Sequence, residues 1–302
     1  MRKLSAIIAA LFLLASCSYR EALYVDLPGT VWSIQKDKVT TWVCFHDADS
    51  ASFVQFSSGT SRSQIAHGPY TCEGHDVVLT LGGGTTYKLT RTFFNLKRAS
   101  SNDNFVNLSP CLYSSLAGTV WMSPLDNNLH LAFFPSGNEC VDILYTNISR
   151  EDSSLPYGWS AKKASASING SSVKVGNMSA ILYQDILTTG IYAAQRLCDA
   201  VQDEGSSSLK GSVWAYNNTG YPADIPAVIV FNGIDTFVSV SGLWGGTISS
   251  SRVNPYNFAI SSGTYSESGG TVSLSLDGKN ESCPISGSSF TLSDRTYKKL
   301  DY

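Results

Sequence analysis

Two thiols and two imidazoles fall close together early in the chain, as Cys44-x-His46 and Cys72-x-x-His75. Two Cys and two His are a donor set for tetrahedral zinc, and Asp47, Asp49 and Glu73 stand beside them as oxygen donors. The same thiols could instead pair as a Cys44–Cys72 disulfide, and in an exported protein the compartment favours the disulfide over the metal. Strand alternation works against both, because it puts Trp42, Cys44 and His46 on one face while Cys72 shares a face with Tyr70. The expectation is therefore a disulfide and no metal. A second set is aromatic: Tyr221, Trp244 and Tyr256 lie among Asn, Gly and Ser residues, a composition that suits stacking on a sugar ring.

Signatures of catalysis are scarce. The chain has four histidines and neither Gly-x-Ser-x-Gly nor His-Glu-x-x-His. Gly82-Gly83-Gly84 lacks a following Lys-Ser/Thr and reads as a hairpin turn rather than a phosphate loop. A net charge of -3 supplies no basic footprint for nucleic acid. The expectation is a non-enzymatic binding or interaction protein without a cofactor, with a glycan or an envelope protein as partner. The alternatives are an envelope hydrolase or metal-dependent enzyme with its site in the first third, and a structural, adhesin or pilus-associated subunit.

The N-terminus carries an address. Arg2 and Lys3 precede an apolar run from Ala6 to Leu14, too short for a bilayer span and right for a secretory signal. Its end, Leu14-Ala15-Ser16-Cys17, resembles the lipobox of bacterial lipoproteins. That resemblance implies removal of residues 1–16, a diacylglycerol on the Cys17 thiol and a lipidated tether over 17–26. Several acyl chains hold a protein on a membrane where one would be reversible. Ser18 stands where an aspartate would resemble an inner-membrane retention signal, so the outer membrane is expected, on its periplasmic or outer face. Cys44, Cys72, Cys111, Cys140, Cys198 and Cys283 remain, an even number that fits an oxidising compartment.

The elements that position these residues are set by repetition. Leu27-Pro28-Gly29-Thr30-Val31-Trp32 returns as Leu116-Ala117-Gly118-Thr119-Val120-Trp121 and as Leu209-Lys210-Gly211-Ser212-Val213-Trp214, the tryptophans 89 and 93 residues apart. Each copy continues with an apolar run ending in Phe45, Phe134 or Phe231 and a turn, then a glycine and an aromatic at Tyr70, Trp159 or Tyr265. Period-two strands and a closing aromatic-plus-basic segment follow. The reading is all-β: three tandem small antiparallel β-barrel or meander domains of about 90 residues each. Their bounds are 27–99, 116–200 and 209–302, with a connector over 100–115 and a linker over 201–208. Ala193 to Val201 also carries apolar residues at helical spacing, so the second copy is expected to end in a short helix.

These motifs resemble the lipocalin-like β-barrel domains of many bacterial lipoproteins. The resemblance implies small β-barrels and, in fuller lipocalins, a calyx for a small ligand. For units this short the expectation is that Trp32, Trp121 and Trp214 are core residues that plug each barrel.

Overall fold

The computed structural model describes residues 24–81, 85–101, 103–125, 128–146, 158–201, 205–216, 227–243, 256–276 and 278–302. Cys17 and the Gly82–Gly84 turn lie outside them. Among the described residues there are only strands and turns, so no helix is long and apolar enough to cross a membrane. The first eight strands are β1 (Val31–Lys36), β2 (Val39–Phe45), β3 (Ser50–Ser57), β4 (Arg62–Glu73), β5 (Asp76–Leu81), β6 (Thr85–Arg91), β7 (Leu96–Arg98) and β8 (Asn104–Leu108). Each pairs antiparallel with the next, and β8 returns to β1, closing barrel 1.

Barrel 2 repeats this path. Its strands are β9 (Val120–Leu125), β10 (Asn128–Ser136), β11 (Glu139–Thr146), β12 (Gly158–Asn169), β13 (Ser172–Val175), β14 (Met178–Tyr183), β15 (Ile186–Thr188) and β16 (Ala193–Arg196), with β16 closing on β9. The C-terminal meander contains β17 (Val213–Tyr216), β18 (Ala227–Val230), β19 (Thr236–Leu243), β20 (Tyr256–Ser268), β21 (Thr271–Leu276), β22 (Lys279–Pro284), β23 (Ser289–Leu292) and β24 (Arg295–Lys299). It runs the same course, β24 pairing with β17, but no ladder joins β22 to β23 among the described residues.

The recurring hexapeptide builds one local structure three times. Gly29, Gly118 and Gly211 have φ of 73°, 78° and 82°, a left-handed conformation that a side chain would strain. Their N–H groups donate to the carbonyls of Phe45, Phe134 and Phe231, fixing the start of each first strand against the end of its second. The hydroxyl of Thr30, Thr119 or Ser212 then donates to the leucine carbonyl three residues back. It also accepts the indole N–H of Trp32, Trp121 or Trp214 at 2.8, 3.0 and 2.8 Å. Each buried indole thus has its one donor satisfied, which burial requires.

Burial explains why the early strands of each unit read as continuous apolar runs. In β2, Val43 and Phe45 face the core of barrel 1 while Trp42 and Cys44 face outward into a second, shared core. In β10, Phe134 faces inward while Leu129, Leu131 and Phe133 face that shared core, and β18 is buried along its whole length. Strands buried on both faces lose their alternation. The shared core joins the outer faces of both barrels and the meander around residues such as Val31, Trp42, Leu131, Ile143, Val228 and Ile260. Later strands such as β21, Thr-Val-Ser-Leu-Ser-Leu, keep one face toward water and alternate cleanly.

Barrel 1 and the meander are further joined edge to edge, Tyr256 to Ala259 of β20 pairing with Ile65 to Arg62 of β4. Both strands are long, pairing with one neighbour over their first half and another over their second. A β-carbon at Gly68 would lie 2.0 Å from the carbonyl oxygen of Thr80, and at Gly263 2.3 Å from that of Ser275, so this crossing needs glycine.

Two expectations are corrected. Residues 100–115, read as a connector, contain β8, whose Phe105 is buried in the barrel 1 core. With one inward apolar residue, β8 carries too little alternation to be read from sequence. The helix expected over Ala193 to Val201 is instead β16 and an irregular segment that bends at Cys198. Closing the barrel against β9 and β15 outweighs the local helical spacing.

Candidate functional site

The strand registers superpose the inward positions of the two barrels and the meander, and barrel 2 is hollow where the others are filled. Facing pairs in barrel 1 are Tyr70 with Leu79, Val77 with Leu89, and Leu96 with Phe105. In the meander they are Tyr265 with Leu274, Val272 with Cys283, and Phe290 with Tyr297. Barrel 2 has Ala166 with Val175, Val173 with Ala180, and Leu187 with Ala194. Beside the tryptophan, Val43 and Ile229 are matched by Ala132. Two buried aromatics, together with larger residues at two further positions, become alanine.

What remains is a cavity of about 440 Å³ walled by Trp121, Phe134, Val173, Val175, Met178, Leu187, Ala132, Ala164, Ala180 and Ala194. That volume is ample for a small molecule. Trp121 is buried as expected, but it does not plug the barrel. Phe134 and Cys140 complete the floor, and burial and the nearby Asp142 charge push the Cys140 thiol up to about 12. A thiol so held stays protonated and unreactive.

Polar groups gather toward one end. Ser123, His130, Asp142, Lys162, Thr189 and Tyr192 line the cavity there. His130 Nδ1 lies 3.9 Å from Asp142 Oδ1, both side chains partly in water, and Lys162 faces Asp142 across the β11–β12 ladder. In barrel 1 the Asp142 and Lys162 positions hold Phe53 and Ala66. The Tyr192 hydroxyl donates to Met178 Sδ at 3.4 Å. Its pKa is raised, first by burial and then by Asp142, so it remains a neutral donor. The arrangement can take a largely apolar molecule with a polar end directed at the imidazole, carboxylate and ammonium groups.

The residues singled out by sequence lie elsewhere. The Cys44–Cys72 disulfide is not formed, for both thiols are free. The pleat puts Cys44 in the shared core and Cys72 against the barrel 1 core, on opposite faces of the sheet. Cys44, His46, Cys72 and His75 do not converge, and no metal-binding cluster occurs among the described residues. His75 sits in the β4–β5 turn beside Asp76, at 3.3 Å. Tyr221 and Trp244 lie outside the described residues. Tyr256 is described only as the backbone start of β20, paired with Ile65.

His46 is engaged within barrel 1. Its Nε2 is 2.7 Å from the hydroxyl of buried Ser52, which lies 3.2 Å from Nδ1 of His67. The two rings are 5.6 Å apart. Burial, with His67 alongside, lowers the His46 pKa to about 4. A serine between two imidazoles could suggest a nucleophile, but its burial denies a substrate access, and the group serves as a polar bridge on the outer face of barrel 1.

A second cleft of about 250 Å³, among Trp42, Phe56, Arg196, Cys198 and Ile260, lies where the barrels and meander meet. Its polar groups are occupied with one another. Arg196 pairs with Asp185 and Asp199, and Gln195 accepts from Ser63.

Comparisons with known proteins add no functional lead. No protein-family model matches the sequence, and no curated protein matches it. Among solved structures, a DnaN sliding clamp (DNA polymerase III subunit beta) from Pseudomonas aeruginosa aligns over 91% of this chain and 92% of its own at 7% identity, with a TM-score of 0.14. The equivalent clamp from Bartonella birtlesii aligns over 91% and 93% at 8% identity, with a TM-score of 0.15.

Proposed function

We propose that this is a non-enzymatic, lipid-anchored binding protein of the outer membrane, built from three copies of one small barrel unit. In this reading the middle copy holds the ligand and the outer two are filled scaffold. The observation that carries it is the exchange of Phe105, Leu89 and Val43 for Ala194, Ala180 and Ala132 on the cavity wall, with Tyr70 also replaced by an alanine, Ala166, at the matching inward position, which leaves the lumen of barrel 2 open. The ligand is small and mostly apolar, with a polar end. Anchoring rests on Cys17 and its Leu-Ala-Ser-Cys context. The glycan reading depends on Tyr221, Trp244 and Tyr256, none of whose side chains is described, and nothing else favours it.

Refilling the lumen tests the proposal. With an apolar fluorophore such as anilinonaphthalene sulfonate as probe, the parent protein should bind one equivalent. The Ala166→Tyr/Ala194→Phe variant should lose at least tenfold in affinity while remaining folded by circular dichroism. Equal binding by parent and refilled variant would refute it.

A further inference from the structure

Among the exposed apolar side chains, two are neighbours in sequence and in space. Phe93 and Phe94 occupy the tip of the β6–β7 turn, 50% and 76% exposed, with ring centroids 4.4 Å apart. The turn is braced from inside. Thr92 N–H donates to the Asn95 carbonyl at 2.7 Å, and Asn95 N–H donates to the Thr92 hydroxyl at 3.2 Å. Solvent does not favour two adjacent phenyl rings held in place in this way, and neither ring reaches the barrel 1 core.

The position of the turn identifies its occupant. The N-terminal segment enters the described structure against this same turn. Val25 N–H donates to the Thr92 carbonyl at 3.3 Å, Arg91 donates to the Val25 carbonyl at 3.4 Å, and the Arg91 guanidinium covers the Tyr24 ring at 4.9 Å. Six residues separate Cys17 from Tyr24, and the seven steps between them reach at most about 25 Å. Resting on the lipid anchor proposed above, we infer that Phe93 and Phe94 form a second membrane contact, entering the headgroup region of the bilayer that holds the Cys17 lipid.

Phenyl rings at an interface add to an acyl anchor and fix how the protein sits on the membrane. The charge around them selects the lipid. Asp26, Asp47, Asp49, Glu73 and Asp76 lie on the loops and strand ends at this end of barrel 1, against Arg91 and Lys97. An anionic surface is not attracted to such a set, so the fit is to neutral, zwitterionic headgroups.

The experiment places the full lipidated chain in phosphatidylethanolamine and phosphatidylcholine vesicles that contain a phospholipid with a photoreactive group near the headgroup. Peptide mass spectrometry then maps the label and reads the Cys17 modification in the same digest. Label is expected on residues 92–95 as well as on the tether. In Phe93→Ser/Phe94→Ser, loop label should fall at least tenfold while tether label and thermal midpoint hold. Label confined to the tether of a lipidated chain overturns the contact and leaves the anchor standing. Unmodified Cys17 overturns the anchor and the contact with it. Loop label that rises with anionic lipid and falls with salt assigns the attraction to cations such as Arg91 and overturns the role of the rings.

Discussion

Barrels 1 and 2 share strand number, ladder order and the hydroxyl–indole device at their openings, yet one is packed and the other is open. In barrel 1, Tyr70 lies edge-on to Phe45 at 4.9 Å and its hydroxyl donates to the Asp47 carbonyl at 2.8 Å, tying the lumen to the β2–β3 turn. Tyr265 repeats this in the meander, edge-on to Phe231 and bonded to the Gly233 carbonyl at 2.9 Å. Barrel 2 keeps Phe134 but has Ala166 at the position matching Tyr70, and an alanine can make neither the ring contact nor the hydroxyl bond. Stability in this scaffold therefore does not require a filled lumen, provided the outer face is buried. For barrel 2 the shared core does this, with Leu131, Phe133, Ile143, Tyr145 and Trp159 packed outside the barrel wall.

The contrast can be broken most forcefully at the indoles. Trp32→Ala should cost about 4–5 kcal/mol, whereas Trp121→Ala, beside space that is already open, should cost nearer about 3 kcal/mol. Urea unfolding of both variants measures the gap, and equal losses would mean that the lumen of barrel 2 is filled in solution. Next comes the reciprocal of the refilling experiment. Tyr70→Ala should open barrel 1 at a cost of about 3 kcal/mol, and fluorophore titration should then find a second equivalent bound.

A smaller effect tests the likeness rather than the difference. Thr30→Val and Thr119→Val each leave a buried indole N–H without its acceptor and should cost about 1–2 kcal/mol, by similar amounts in the two barrels. Calorimetric midpoints would show this, and unequal shifts would mean that the openings differ more than their geometry suggests. The smallest effect concerns pH and belongs to barrel 1, since the position of His46 is taken by Pro135 in barrel 2. Folding lowers the His46 pKa from 6.5 to about 4. Between these values the unfolded chain takes up a proton that the folded chain refuses, so stability falls as pH drops through 6.5 and levels off near 4. His46→Gln should flatten that part of the pH–stability curve.

The sequence reading succeeded where a feature is carried by residues that are present. Leu-x-Gly-Thr/Ser-Val-Trp could be read because each of its positions has its own geometric task. The cavity could not be read in that way, since it consists of side chains that are missing, and Ala132, Ala180 and Ala194 look like ordinary strand residues. Counting from the tryptophans misled in particular. Trp159 lies as far from Trp121 as Tyr70 does from Trp32, but the ladders match Tyr70 with Ala166, and Trp159 faces the shared core. Unequal loops shifted the count. Aligning inward positions strand by strand, with Gly68 and Gly263 set against Ala164, is the signal that would have found the site.

The pairing of β4 with β20 bears on how the chain reaches this state. Ile65 finds Tyr256 only after roughly 190 further residues have been made, and a chain synthesised from its N-terminus completes barrel 1 long before then. Until β20 arrives, the outer edge of β4 presents unpaired N–H and C=O groups, a template on which another copy could add a strand. Contacts of such long sequence separation are slow to form. The last third of the chain therefore acts as the natural cap for the first, and a chain truncated before Tyr256 would be left with a barrel that is closed but adhesive along one strand.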